Sequence, residues 1–192
     1  MPRPAECALL TYNVPVQFVV QPARPVLDNW VGSAGGLPAG RVGELHHMTD
    51  SITHVAKCFE DLQLGMEAML SRTVTEQDIV AFAAVTGDRN PVHLDAAYAA
   101  KTMFKQRIAH GMLSAGYISA VFGMELPGPG AIYVSQTLNF KGPVRIGDTV
   151  VTKVKVVELI QPKRRARFAC VCSVDGKVVL DGEAILMVPG RK

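Results

Sequence analysis

The chain has 192 residues, 48% of them hydrophobic, which suffices for one substantial core or for one core plus an extension. With 20 Lys and Arg against 17 Asp and Glu the net charge is +3, too mild and too dispersed to favour nucleic acid as a partner. No apolar run reaches the roughly 18 to 20 residues needed to cross a bilayer, so no membrane partner is expected.

Residues 1–60 read as an N-terminal extension of unknown role. Much of it holds Pro, Gly and scattered Val without steady periodicity, and "GSAGGLPAGRVG" has the composition of a linker. Arg3, Arg24 and Arg41 with few acidic neighbours leave room for an organelle transit peptide, and so for a mitochondrial address. The Ser-rich amphipathic pattern of such a peptide is missing, and a cytoplasmic protein is the expectation. His46, His47 and His54 lack carboxylate or cysteine partners at metal-binding spacing and read as surface histidines. The 4 cysteines, Cys7, Cys58, Cys170 and Cys172, form no CxxC pair, so neither a disulfide framework nor a structural metal site is indicated.

Residues 61–192 read as one folded domain. In "TVTEQDIVAFAAVTGD" Thr75 stands three residues before Asp78, a capping box with Asp in place of Glu, and apolar residues follow from Ile79 to Val85. The spacing predicts a short helix ending at Gly87, a residue type that tolerates the left-handed conformation beyond a helix C-terminus. Asn90 before Pro91 predicts a second helix over "NPVHLDAAYAAKT", with His93 in its first turn. Between the helices the chain must curl, so Asp88 and His93 can reach one point. Taken singly, Asp88, Asn90 and His93 have ordinary explanations as a helix-ending polar residue, a cap and a surface side chain. Taken together, a carboxylate beside a neutral imidazole can activate water.

The next segment, Met112 to Phe122, is apolar on nearly every side and predicts a helix buried in the core. Gly111 opens it, and a buried helix N-terminus can aim unpaired N–H groups at a polarised oxygen, an oxyanion hole in outline. His110 reads as a hydrogen-bonded core histidine rather than a catalytic one.

Strands follow. "AIYVSQTLNF", "TVVTKVKVVEL", "ARFACVCSV" and "KVVLDGEAILMV" are rich in β-branched residues, and Val150, Thr152, Val154 and Val156 alternate with a second set. Turns are expected at "IGD" and at Asp175-Gly176, and the basic cluster "PKRRAR" reads as a solvated turn between strands. Cys170 and Cys172 share one strand face and read as packing residues. The fold class is α+β, a central apolar helix wrapped by a mostly antiparallel sheet.

The stretch "FAAVTGDRNPVHLDAAYA" resembles the hydratase-2 signature of the MaoC-like, (R)-specific enoyl-CoA hydratases. Phe82, Gly87, Asp88, Asn90, Pro91, His93 and Ala99 match it, and the resemblance runs on through "IAHGMLSAGYIS" and "DGEAILMV", covering about residues 65–188. It implies a hotdog fold with a curved sheet, a homodimer, and a CoA or acyl-carrier-protein thioester as substrate, with no metal and no cofactor. By the same resemblance Asp88 and His93 form the catalytic pair that holds the water, and the Gly111 N–H polarises the thioester carbonyl. Asn90 supports the loop, Ser119 hydrogen-bonds near Asp88, and Phe122 either lines the acyl pocket or is ordinary core. The implied reaction is hydration of a trans-2-enoyl-CoA to the (R)-3-hydroxyacyl-CoA and its reverse, in fatty-acid or polyhydroxyalkanoate-type metabolism. Alternatives are a 3-hydroxyacyl-acyl-carrier-protein dehydratase, a hotdog thioesterase, which would not require the Asp-x-Asn-Pro-x-His loop, and a non-catalytic acyl-CoA-binding regulatory module, which would be expected to lose Asp88 or His93.

Overall fold

Alternation of apolar and polar side chains selects the strands. The computed structural model describes residues 56–191, and in β4 (Thr149–Ile160) the inward set Val150, Thr152, Val154 and Val156 is buried while Val151 and Val157 are exposed. β5 (Arg165–Val174) repeats the pattern with Ala166, Phe168, Cys170 and Cys172. A turn through Asp175 (φ 49°) and Gly176 (φ 74°) joins it to β6 (Lys177–Met187), and two successive left-handed residues are what a two-residue hairpin needs. Residues 162–164 of the basic cluster lie in the exposed β4–β5 turn, with Arg164 left-handed at φ 46°, while residues 165–167 already belong to β5.

β1 (Glu67–Thr73), β2 (Ile132–Gln136) and β3 (Asn139–Phe140) complete a six-stranded sheet of order β1-β4-β5-β6-β2, with β3 also paired to β6 and every pairing antiparallel. On one face lies α4 (Gly111–Met124), packed against β4, β1 and β5. Its Ile118, Val121 and Phe122 join Val154, Phe168 and Leu186 in one core, and each such buried side chain contributes about 1.5–3 kcal/mol. A helix held by an antiparallel sheet is the hotdog arrangement. Burial pushes the Cys170 thiol up to about 12 and raises Cys172 as well, so both act as small apolar residues. They are free thiols.

Four details differ from expectation. Of the extension placed at 1–60, with its histidines and Cys7, only residues 56–60 are described, and within them Cys58 and Phe59 are buried rather than loose. The helix expected over "NPVHLDAAYAAKT" is broken into α2 (Pro91–Leu94) and α3 (Ala96–Ala100), because Asp95 turns its carboxylate onto the Tyr98 N–H and caps a new helix. β1 is a strand that its weakly alternating sequence did not declare. The strand expected over "AIYVSQTLNF" is split where Thr137 bonds Glu183 through its N–H and its hydroxyl oxygen, bringing its carbonyl over Gly182. Among the described residues, no helix is long and apolar enough to cross a membrane.

Two irregularities of β6 matter beyond it. Opposite β5 the register slips between Cys172 and Ser173, leaving Val179 as an extra residue, so that Val179 and Leu180 are both buried. At Gly182 a Cβ would stand 1.9 Å from the Thr137 carbonyl oxygen, a backbone atom that cannot swing aside. Gly182→Ala should therefore destabilise the fold by about 3 kcal/mol or more, read as a lower midpoint in urea unfolding; a midpoint equal to that of the wild type would refute the close approach.

Candidate active site

The site is assembled from two short segments. α1 (Glu76–Thr86) starts at the expected capping box: Thr75 Oγ1 accepts from the Asp78 N–H, and the Asp78 carboxylate accepts from the Thr75 N–H and hydroxyl. It ends at Gly87 with φ 78°. Beyond the glycine the chain folds on itself through side chain to backbone bonds. The Asp88 N–H donates to Thr86 Oγ1, the Asn90 N–H to Asp88 Oδ1, and the Val92 N–H to Asn90 Oδ1. Asn90 thus caps α2 and meets the Asp88 carboxylate, while His93, the third residue of α2, turns inward and is buried.

The second segment is the approach to α4. Arg107 grips Glu76 at the start of α1 in a two-pronged pair at 2.8 and 2.5 Å. The Ile108 N–H reaches the Val92 carbonyl, and the Ala109 N–H donates to the Val144 carbonyl at 2.7 Å. The Ile108 carbonyl lies 2.8 Å from His93 Nδ1, and a carbonyl can only accept, so Nδ1 carries the proton and Nε2 presents a lone pair. His110 Nε2 meets the Asp88 carbonyl at 3.0 Å, and its ring lies against that of His93 with centroids 3.9 Å apart. Ligand-type atoms of Asp88, His93 and His110 all fall within 4.8 Å of one another. The two segments therefore do what the spacing suggested and bring Asp88 and His93 together. A carboxylate and two imidazoles at this spacing are also donors that could hold a divalent cation.

A cavity of about 540 Å³ opens beside them, lined among others by His93, His110, Gly111, Phe140, Val179 and Leu180. The bulge in β6 supplies the last two. Gly111 is the first residue of α4, so helix geometry leaves its N–H without an intrahelical acceptor, and the N-cap residue His110 offers no side-chain cap. A side chain here would enter the cavity wall, since a Cβ would lie 2.7 Å from the Phe140 ring. A polarised oxygen in the cavity can take that N–H. Lys141, also in the wall, is paired with Asp181 at 2.6 Å.

Other candidates sit elsewhere. Ser119 is exposed on α4, and among the described residues it makes no hydrogen bond to Asp88; Ser114, buried one turn from Gly111, is the serine in the cavity wall. Phe122 is core, packed edge-on against Phe168 at 4.9 Å and Tyr133 at 5.4 Å, and is absent from the cavity lining. Sequence reasoning set His110 aside and missed Ser114 and Phe140. Helical spacing from Gly111 could have found Ser114, because residues three apart share a face; a bulge-dependent wall leaves no such trace.

The sequence profile of the family described as "MaoC like domain" matches residues 61–175. The chain is 58% identical over 134 residues to a 3-hydroxybutyryl-CoA dehydratase of Methylorubrum extorquens, spanning 70% of this chain and 85% of that one. It is 56% identical over 133 residues to an (R)-specific enoyl-CoA hydratase of Rhodospirillum rubrum, spanning 69% of this chain and 92% of the other. Among solved structures, unliganded R-hydratase PhaJ1 from Pseudomonas aeruginosa superposes with a TM-score of 0.67 at 50% identity, over 70% of this chain and 87% of that one.

The loop hangs from α1, whose cap can be tested by pH. Hydrogen bonding from Thr75 holds the Asp78 carboxyl below its ordinary value of 3.8, so the cap stabilises fully above that value and is lost as the pH falls through the lower, folded one. Thr75→Ala should cost about 1 kcal/mol in urea unfolding at pH 7, with a smaller difference from the wild type in strong acid. A difference that does not change with pH would contradict this cap.

Proposed function

The chain belongs to the MaoC-like domain family, and on that footing we propose that it hydrates trans-2-enoyl-CoA to (R)-3-hydroxyacyl-CoA and catalyses the reverse dehydration. The observation that carries this is His93 in the wall of a cavity that also holds the uncapped N-terminus of α4 at Gly111, with an Asp88 carboxylate oxygen within 4.8 Å of the imidazole.

The chemistry asks for three things at once. Water must lose a proton as its oxygen bonds the β-carbon, the α-carbon must gain a proton, and negative charge builds on the thioester oxygen meanwhile. The lone pair on His93 Nε2 and the Asp88 carboxylate can hold the water between them and take its proton. Their ligand-type atoms lie within 4.8 Å of each other, so the two act together on one water. Returning a proton to the α-carbon from the same side gives syn addition. The Gly111 N–H donates to the thioester oxygen, with the first turn of α4 adding the positive end of its dipole. Asn90 keeps the loop in place by capping α2 and donating its N–H to Asp88. Addition of water changes no net oxidation state, so the proposed reaction calls for no redox cofactor, and side-chain and backbone groups supply its acid, base and oxyanion roles without a metal.

A regulatory acyl-CoA binder would need the cavity but not a carboxylate and a tautomer-fixed imidazole beside it, and this disfavours the non-catalytic alternative. We place the enzyme in the cytoplasm, in fatty-acid or polyhydroxyalkanoate-type metabolism, and as a homodimer. Exposed Ile132 and Val134 on the sheet-edge strand β2 and Phe140 on β3 support a partner surface there.

The test is loss of the enoyl-thioester ultraviolet absorbance on mixing crotonyl-CoA with the protein, alongside Asp88→Asn and His93→Ala. Rapid loss with the wild type and a fall of about 10²–10⁴-fold in each folded variant is expected. No loss with crotonyl-CoA or longer enoyl-CoAs would sink the hydratase assignment.

A further inference from the structure

His110 is a liability at a place where an ordinary core residue would fit. It is the N-cap residue of α4, a position at which a side chain normally accepts an N–H from its own helix, yet its ring makes no such bond and turns instead to the carbonyl of Asp88, 3.0 Å from Nε2. Since a carbonyl accepts only, Nε2 carries the proton. Nδ1 is then left buried with no partner among the described residues, in a side chain only 2% exposed. A Leu or Phe would fill the space without leaving a polar atom unsatisfied.

Two rings also pack against it: His93 at 3.9 Å between centroids with a 32° tilt, and Phe82 of α1 at 4.9 Å with a 42° tilt. His93 is itself tied to Ile108, two residues before His110, and Arg107 anchors the same segment to α1. The peptide that follows His110 carries the Gly111 N–H. One side chain thus touches the Asp88 backbone, the His93 ring and the helix start from which the N–H projects.

We propose that His110 is a positioning residue of the hydration reaction: it locks the Asp88 main chain and the His93 ring against the first turn of α4, so that the water-holding pair and the oxyanion donor keep one fixed geometry. The proposal rests on the hydratase assignment. Its consequence is specific, because a misplacement of the order of 1 Å between water and acceptor lowers turnover by about 10²-fold while leaving binding of the distant CoA portion largely alone.

Two substitutions separate the contacts. His110→Phe keeps a ring against Phe82 and His93 but removes the donor to Asp88; His110→Gln keeps an N–H donor of similar reach. With crotonyl-CoA, kcat of folded His110→Phe should fall about 10²-fold with KM changed by less than about threefold, and His110→Gln should recover to within about tenfold of the wild type. Wild-type kcat in His110→Phe, or equal losses in both variants that follow their melting temperatures, would overturn the positioning role and leave a structural one. Should His110→Phe not fold, Phe82→Leu loosens the ring while keeping the donor: a lower kcat at unchanged KM supports the role, and wild-type kcat overturns it. Absence of wild-type turnover would overturn the hydratase assignment and this role together, whereas wild-type turnover abolished by Asp88→Asn but untouched in His110→Phe would overturn this role alone.

Discussion

A buried helix must begin somewhere, and the N–H groups of its first turn have no partners within it. α4 is apolar nearly all round and packs one side into the core against the sheet, and a polar capping side chain at its start would have been the simplest remedy. The chain instead places Gly111 at the first position and turns the preceding side chain away. The unpaired N–H is left at a cavity wall that a Cβ would have crowded against Phe140. On the proposed chemistry the thioester oxygen completes the cap, and most strongly when it carries the charge of the transition state. The demand created by starting the helix without a side-chain cap thereby becomes selectivity for the reacting state over the resting one.

Much of this was legible in the chain because it depends on local rules. The box from Thr75 to Asp78, the left-handed Gly87, the Asn90–Pro91 helix start and the alternation of β4 are each fixed by residues within a few positions of one another, and each appears where local chemistry puts it. What escaped depends on contacts distant in sequence. β1 is held by pairing with β4 rather than by its own pattern. The break between β2 and β3 exists because Thr137 meets Glu183 and Gly182, and the Val179 bulge because β5 and β6 slip by a residue. Ser119 was singled out by its match to a family position, yet the packed helix turns Ser114 to the cavity. His110 was read as core, which its burial bears out, but its bond to the Asp88 carbonyl spans 22 positions and cannot be seen in any local window.

The charges tell a related story. On the outer face of the sheet Arg167 sits between Glu158 and Glu183, and Lys153 and Lys155 share Glu67, all of them exposed enough to add little to stability. Among the described residues, no such ion pair reaches Asp88. Its carboxylate meets a backbone N–H of its own loop, which fixes its direction while leaving acceptor capacity for a water. A cationic partner would have held it more firmly and competed for the same lone pairs.

Rigidity is therefore supplied from behind the reacting groups. The loop bearing Asp88 consists of residues exposed from Thr86 to Pro91, and such a segment would move freely if only its own turns held it. Three bonds tie this loop and α2 to the segment before α4: Ile108 N–H to the Val92 carbonyl, His93 Nδ1–H to the Ile108 carbonyl, and His110 Nε2–H to the Asp88 carbonyl. Each uses a backbone carbonyl as acceptor, so none consumes the Asp88 carboxylate or the His93 lone pair that the chemistry needs. The unsatisfied Nδ1 of His110 is a cost of about 1–3 kcal/mol, comparable to the burial of one core side chain, which a core built around Ile118, Phe122 and Phe168 can absorb. Side chains that face the substrate stay free to react because the polar work of holding them has been moved onto the main chain.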